Sequence, residues 1–167
     1  MEYIVSRFMD VMMSQKEIHH RLGDLSGQKQ GVIANNEVAA LDAIVRQEQR
    51  ELAALSSLEK RRRQLMEELS RHTKKPAKDI LLTDFLLVAT PEQKERLESL
   101  AHEISSLLSE QLRLNDINQR LIDSRLDYVH FALDMLTDDE DPSQHYAVQG
   151  AAVGATQRKS SIIDQKI

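Results

Sequence analysis

The chain has 167 residues, enough for one domain of moderate size, and its formal net charge of −5 comes from interspersed acidic and basic residues. This balance gives no general attraction to nucleic acid or anionic membranes, and the absence of cysteine excludes disulfides, thiolate metal sites and cysteine nucleophiles. With 4 % aromatic residues, five glycines and three prolines, the composition disfavours β architectures and favours an aliphatic helical core. The N-terminus lacks the pattern of a signal peptide, so we expect a cytoplasmic protein.

A heptad-like apolar pattern predicts a first helix over residues 2–33. Spacings of four and three alternate along it, which places the repeated positions on one stripe of a helix. Gly23, Gly27 and Gly31 recur every four residues on another face, where they weaken a helix interior. They indicate either a kink or fraying, or the close approach of another helix. The stripe consists of Ile4, Phe8, Val11, Gln15, Ile18, Leu22, Leu25, Lys29 and Val32.

Asn35 and Asn36 predict a cap ahead of a second helix over residues 37–71. The basic run of residues 61–63 lies near the end of this helix, where cations complement the helix dipole; contact with an acidic partner is the alternative. The segment TKKPAKD then breaks the helix. Residues 80–88 are mostly apolar and predict one or two helical turns folded over the bundle.

Thr90 and Pro91 predict the start of a third helix over residues 91–137, with Thr90 as its cap. Asn115 and Asn118 lie in its apolar seam, where amides can fix helix register by pairing across helices. Exposure on the helix surface is the alternative. One apolar stripe carries Leu97, Leu100, Ile104, Leu107, Leu114 and Leu121, and a shifted stripe follows with Ile122, Leu126, Val129, Leu133 and Leu136.

Together these elements predict an all-α fold, an elongated antiparallel helical bundle or coiled coil of three long helices within residues 1–141. A helix as long as the third one cannot bury its apolar stripe alone and needs a partner surface. Residues 142–167 are rich in Gln, Ala, Gly and Ser, and we expect them to form a flexible partner-binding tail. This organisation is typical of a binding protein rather than an enzyme.

Motifs with catalytic or metal-binding spacing are not evident. His19 and His20 are adjacent, so on a helix they point about 100° apart and do not readily chelate one ion. The segment GDLSGQKQG lacks the strand context and the Lys-Ser/Thr pair of a P-loop. The basic residues carry no interleaved aromatics for stacking on bases. We therefore expect no catalysis, no cofactor, no metal, no nucleic-acid partner and no stable membrane insertion.

Several segments, taken in order, resemble the FlgN family of flagellar type III export chaperones over nearly the whole chain. HYAVQG and KSSIIDQKI are similar to terminal motifs of Gram-positive members, although Ala147 stands where the family usually has glycine. The second helix ends in a motif like the family's Leu-Glu-x-x-Arg-x-x-Leu, and the third carries one like its Leu-Asn-x-x-Asn-x-x-Leu-Ile. These motifs fall on Leu58, Glu59, Arg62 and Leu65, and on Leu114, Asn115, Asn118, Leu121 and Ile122.

The resemblance implies a cytoplasmic, non-enzymatic chaperone. It would bind hook–filament junction (hook-associated) proteins, prevent their premature assembly and deliver them to the flagellar export gate. An apolar helix stripe offers an amphipathic cargo helix a binding surface. The candidate cargo-binding residues are Ile122, Leu126, Val129, Leu133 and Leu136, with ordinary bundle core as the alternative.

By the same resemblance, docking on the export gate falls on Tyr146, with Gly150 shaping the segment. Ile162 and Ile163, an adjacent pair of large apolar residues, are candidates for a second anchor; a tail without a role is the alternative. Two other functions stay open. One is a chaperone for another flagellar or type III substrate, and the other is a structural coiled-coil protein whose stripes serve self-association.

Overall fold

The structure is a computed structural model that describes residues 1–138, with side chains described through residue 136. The described part is helical throughout and contains no strand, which confirms the predicted all-α class. Its elements are α1 (Glu2–Ala34), α2 (Val38–Thr73), a turn of 3-10 helix (Ala77–Asp79), α3 (Leu82–Val88) and α4 (Pro91–Asp138).

The chain divides into two compact units, Met1–Tyr128 and Val129–Ile167. The helices α1, α2 and α3 belong to the first unit, and α4 begins there and has its last turns in the second. The predicted division into a bundle of residues 1–141 and a tail of residues 142–167 stays a prediction, because the tail lies outside the described residues.

Two ion pairs show that α1 and α2 pack antiparallel. Arg7 near the start of α1 lies 3.1 Å from Glu68 near the end of α2, whereas Lys29 near the end of α1 lies 2.8 Å from Glu48 in the first half of α2. Lys29 and Glu48 are half-buried and occupy polar positions in two otherwise apolar stripes. Because a shifted alignment would leave these charges unpaired in the interface, the pair favours one register of the two helices.

Within the first unit, α4 runs parallel to α1. Lys16 in the first half of α1 donates to Glu103 of α4 at 2.8 Å, and Arg125 of α4 donates to the carbonyl of Ala34, the last residue of α1. The hydrogen bond from Lys16, followed by one from Ser99, lowers the pKa of Glu103. The contacts advance in the same direction along both helices, and α1 therefore ends beside Arg125.

The apolar core lies around the first turns of α1. Phe85 of α3 is 1 % exposed and stacks on Phe8 of α1, with ring centroids 3.8 Å apart and 16° between the ring planes. Of the predicted segment 80–88, residues Leu82–Val88 form the helical turns folded over the bundle, whereas Ile80 and Leu81 are extended. The buried cluster consists of Ile4, Val5, Phe8, Val11, Met12, Leu65, Leu69, Ile80, Phe85, Leu97 and Leu100.

The connection between α1 and α2 differs from the sequence prediction. Asn35 ends α1 with its N–H bonded to the carbonyl of Gly31, and Asn36 has a positive φ of 59°. Glu37 takes the N-cap position of α2 and makes no side-chain cap hydrogen bond. The prediction that the asparagines cap the second helix is therefore wrong. Asparagine tolerates the left-handed conformation, and here that tolerance forms the turn.

The glycine positions of α1 lie within one uninterrupted helix. At Gly23, Gly27 and Gly31, no described atom apart from neighbouring residues and backbone of α1 itself lies within 4 Å of the place where a Cβ would stand. The close helix approach that we considered at these positions is therefore absent from the described part of the chain.

The start of α4 has the predicted cap. The N–H of Gln93 donates to Thr90 Oγ1 at 3.3 Å, and the N–H of Thr90 donates to Gln93 Oε1 at 3.1 Å. This reciprocal pair satisfies two backbone donors that a helix start leaves free, and Pro91 occupies the first helical position. The prediction of Thr90 as cap is confirmed.

The start of α3 depends on one carboxylate. Asp84 accepts hydrogen bonds from Lys75 Nζ at 2.8 Å and from the backbone N–H of Leu81 at 2.7 Å. These bonds, with that from Lys75 the larger contribution, hold the pKa of Asp84 below its ordinary value of 3.8. The carboxylate therefore ties the loop after α2 to the helix that carries Phe85.

Phe85→Ala should lower the free energy of unfolding by about 3–5 kcal/mol, because it removes a buried ring and leaves a cavity against Phe8. Chemical denaturation followed by circular dichroism measures the change. Leu87→Ala is the matched control, since Leu87 lies on the same helix and is exposed; its effect should stay below about 0.5 kcal/mol. Equal effects of the two substitutions would contradict the described core.

Asp84→Asn should lower the melting temperature at pH 7, and the difference from wild type should shrink below about pH 4. Because the pKa of Asp84 is lowered in the folded protein, its stabilising effect is complete above the unfolded-state pKa. The effect is lost as pH falls through the folded-state pKa. Melting curves between pH 7 and 3 test this, with the exposed Asp79→Asn as control. A difference that stays constant down to pH 3 would argue against the Asp84 contacts.

Candidate partner-binding site

The candidate stripe on α4 begins where α1 ends. Arg125 of α4 contacts the last residue of α1. Ile122, which comes before this contact, is half-buried. Leu126, which comes after it, is 51 % exposed. Within the first unit, no residue of α1 remains beyond this point to cover α4. The apolar spacing of α4 therefore continues after its neighbouring helix has ended.

In the second unit, the described residues continue α4 and the stripe. Val129 and Leu133 are half exposed, and Leu136 is 71 % exposed. Buried core residues of the first unit, such as Leu97 and Leu100, are at most 5 % exposed. Val129, Leu133 and Leu136 are therefore more exposed within the described residues than the core of the first unit, and ordinary bundle core stays the alternative. Their role in binding cargo stays a prediction.

A second exposed apolar row on α4 was missed at the level of sequence. It consists of Tyr128, Phe131 and Met135, all more than half exposed. Successive helix residues turn by about 100°, so Phe131 points about 200° away from Val129. The spacing of three and four between these residues is visible in LDYVHFALDML and gave the signal for this row. The described end of α4 thus carries apolar side chains on two faces.

A polar seam aligns α4 with α1. Asn118 is 4 % exposed, and its Nδ2 donates to the carbonyl of Ser26 at 2.8 Å, while Ser26 Oγ donates to Asn115 Oδ1 at 3.3 Å. The predicted pairing of these amides across helices is confirmed. Asn118 Oδ1 has no hydrogen-bond partner among the described residues, which costs about 1–3 kcal/mol for a buried acceptor. The seam therefore sets register at the expense of stability.

A second side chain–backbone contact supports the same alignment. Gln111 Nε2 donates to the carbonyl of His19 at 2.6 Å, and His19 Nδ1 lies 3.3 Å from Gln111 Oε1. Gln111 lies between Leu107 and Leu114 of the first apolar stripe of α4. In the structure it forms a specific contact between α1 and α4, so the polar positions specify the alignment of these helices.

The described residues contain no group of three or more His, Asp or Glu side chains that could hold a metal ion. None of the helices within residues 1–138 is long and apolar enough to cross a membrane. The four candidate gate-docking residues, Tyr146, Gly150, Ile162 and Ile163, lie outside the described residues, as does Ala147.

A helical bundle whose longest helix ends in exposed apolar rows is the architecture of a protein that binds other proteins through a helix face. The family model described as FlgN protein matches residues 1–154, so the chain belongs to the FlgN family. It is a flagellar type III export chaperone, and chaperones of this family bind flagellar proteins. The resemblance drawn from the sequence motifs is thereby confirmed. No curated protein and no solved structure matches the chain.

The double substitution Leu126→Asp/Val129→Asp should lower the free energy of unfolding by about 2 kcal/mol, because each side chain is half exposed and its buried half contributes about 1 kcal/mol. The weak helix propensity of Asp adds a few tenths of a kcal/mol for each substitution. Leu97→Asp is the contrasting variant: Leu97 is fully buried, so this change places a charge in the core and should unfold the bundle. Urea denaturation measures both. A loss of several kcal/mol in the double variant would mean that the stripe is packed.

Proposed function

We propose that this chain is a cytoplasmic, non-enzymatic chaperone for hook–filament junction proteins. It keeps these proteins from assembling prematurely and delivers them to the flagellar export gate. The proposal assigns it no cofactor, no metal and no nucleic-acid partner. The observation that carries the proposal is the apolar stripe on α4 in a member of an export-chaperone family. Ile122 of this stripe is half-buried, and its exposed members are Leu126, Val129, Leu133 and Leu136.

The stripe suits an amphipathic cargo helix because both partners then bury apolar surface that water would otherwise contact. Burying the exposed half of one such side chain contributes about 1 kcal/mol. The sum over the stripe is comparable to the entropic cost of association, which is at least about 4 kcal/mol. A stable complex therefore needs further contacts, and the second row, Tyr128, Phe131 and Met135, can supply them on the other face of α4.

Delivery to the export gate is assigned to residues that follow the stripe in sequence. The family motif supports Tyr146 as the docking residue with Gly150 shaping the segment, and Ile162 and Ile163 form a second apolar anchor. Cargo and gate then use different parts of the chain. One chaperone molecule can in this way hold its cargo while it contacts the gate.

Leu126→Asp/Val129→Asp should weaken binding of the junction proteins at least about tenfold, because two carboxylates would have to be desolvated in an apolar interface. The test is co-expression with the two hook–filament junction proteins of the same organism, size exclusion and titration calorimetry. Leu112→Asp is the control, since Leu112 is an exposed leucine on the same helix but outside the stripe; it should bind like wild type. A chain that ends at Asp141 should still bind the junction proteins but should no longer bind the export gate.

Three results would contradict the proposal. A stripe variant that stays folded and binds like wild type would place the cargo elsewhere. A wild-type chain that binds neither junction protein but another flagellar substrate would identify a chaperone of different specificity. A chain that binds none of these and forms concentration-dependent oligomers would be a structural coiled-coil protein.

A further inference from the structure

A second apolar surface lies in the first unit, away from the α4 stripe. It is a groove of about 580 Å³ with α1 as its floor and with α2 and α4 on either side. One end is formed by the 3-10 turn, the residues after it and α3. The residues that line this groove are Phe8, Met12, Gln15, His19, Arg62, Met66, Lys78, Ile80, Leu81, Leu82, Phe85, Ala101, Ile104, Ser105 and Leu108.

The groove exists because α3 is short. α3 has only seven residues, and its Phe85 covers α1 at Phe8. The floor continues along α1 from Phe8 to His19, which is about 16 Å of helix. A longer fourth helix would pack over this floor between α2 and α4, as in a four-helix bundle. The groove therefore has the length of about three helical turns and the position of a missing bundle helix.

The chemistry of the lining indicates which helix would fit. Met66 is half-buried and has a flexible, polarisable side chain that adapts to different apolar partners, whereas Met12 is part of the buried floor. Leu81 and Leu108 are exposed at the edges. The described lining includes two cationic side chains, Arg62 and Lys78, and no carboxylate, although the chain as a whole is acidic. An occupant with carboxylates beside its apolar face would match this charge.

Arg62 and Lys78 differ in whether they already form an ion pair. Arg62 forms a two-bond ion pair with Glu59, at 2.8 Å and 2.7 Å, and this pairing lowers the pKa of Glu59. Lys78 is exposed and forms no ion pair with any residue in the described part of the chain. Lys78 is therefore the charge that an incoming carboxylate would meet without first breaking an internal pair.

We propose that this groove binds an amphipathic helix of a partner protein that carries acidic residues beside its apolar face, in the position of a fourth bundle helix. The proposal concerns a surface in the first unit, and it holds whether or not the α4 stripe binds cargo. Its contacts are apolar burial against Met66, Ile104 and Leu108 and charge pairing with Lys78.

Methyl NMR of the full chain with labelled methionines tests the proposal, because Met12 and Met66 line the groove whereas Met13 and Met135 do not. The probe is a synthetic amphipathic helix with leucines at helical spacing and glutamates beside them. The comparison peptide has lysines in place of the glutamates. The acidic peptide should shift the Met12 and Met66 signals saturably and leave Met135 unchanged. The lysine peptide should bind about fivefold weaker or not at all.

Two variants identify the contacts. Lys78→Glu should weaken the acidic peptide about threefold or more, and Leu108→Asp, at the exposed edge of the groove, should remove binding. Lys94→Glu is the matched control, because Lys94 is an exposed lysine on α4 that does not line the groove. It should leave the affinity unchanged.

The proposal is overturned if the acidic peptide leaves the Met12 and Met66 signals unmoved, or if both peptides bind equally well. It is also overturned if both groove variants bind like wild type. Signals that shift with protein concentration alone would identify a second copy of the chain as the occupant. If the Met12 and Met66 signals show an occupied groove in the free chain at every protein concentration, the occupant is a segment of the chain itself.

Discussion

The unequal lengths of α1 and α4 are the constraint on which the candidate site depends. α1 ends at Ala34, whose carbonyl accepts a hydrogen bond from Arg125, whereas α4 continues as a helix to Asp138. An amphipathic stripe is buried only where a neighbouring element covers it. In the first unit, the cover that α1 gives to α4 stops at Arg125, and Leu126 is the first stripe residue beyond it. Exposure of Leu126 therefore coincides with the end of α1 and with the shift of the apolar stripe that begins at Ile122.

In the first unit, the apolar cluster that stabilises the fold and the polar contacts that align the helices lie at different positions along α1. The buried cluster joins the first turns of α1 to the end of α2, to α3 and to the first part of α4, around the stacked rings of Phe8 and Phe85. Farther along α1, the contacts to the other helices include polar pairs, among them Lys29 with Glu48 and the amide of Asn118 with Ser26. Such pairs specify register but add little net stability. An interface with this composition is suited to a chaperone whose helices must accept an additional partner.

Much of the fold could be predicted from the sequence, because each helix is marked by its own pattern. The stripes of α1 and α4, the break at TKKPAKD and the cap at Thr90 all depend on local spacing and local chemistry. The connection at Asn35 and Asn36 was misassigned because asparagine is favoured both at helix starts and in left-handed turns. Sequence preference alone did not separate these two roles.

The candidate site was only partly predictable. Spacing identified which residues share the α4 stripe, but the exposure of each side chain depends on which other elements pack beside it, and local spacing does not contain this information. The groove along α1 was invisible for the same reason, since its walls come from four separate segments and its opening from the shortness of α3. The role of Tyr146, which the resemblance implies, and that of Ile162, which its apolar neighbour Ile163 suggested, stay proposals.

Hydrogen–deuterium exchange of the chain with and without a hook–filament junction protein tests the central claim most directly. The account predicts that cargo slows exchange chiefly in peptides that cover residues 122–136, because the exposed end of α4 becomes an interface. Peptides from the core, around Phe85 and Leu97, should change little, since they are already buried. Protection that appears only elsewhere in the chain, with residues 122–136 exchanging as fast as before, would contradict the account.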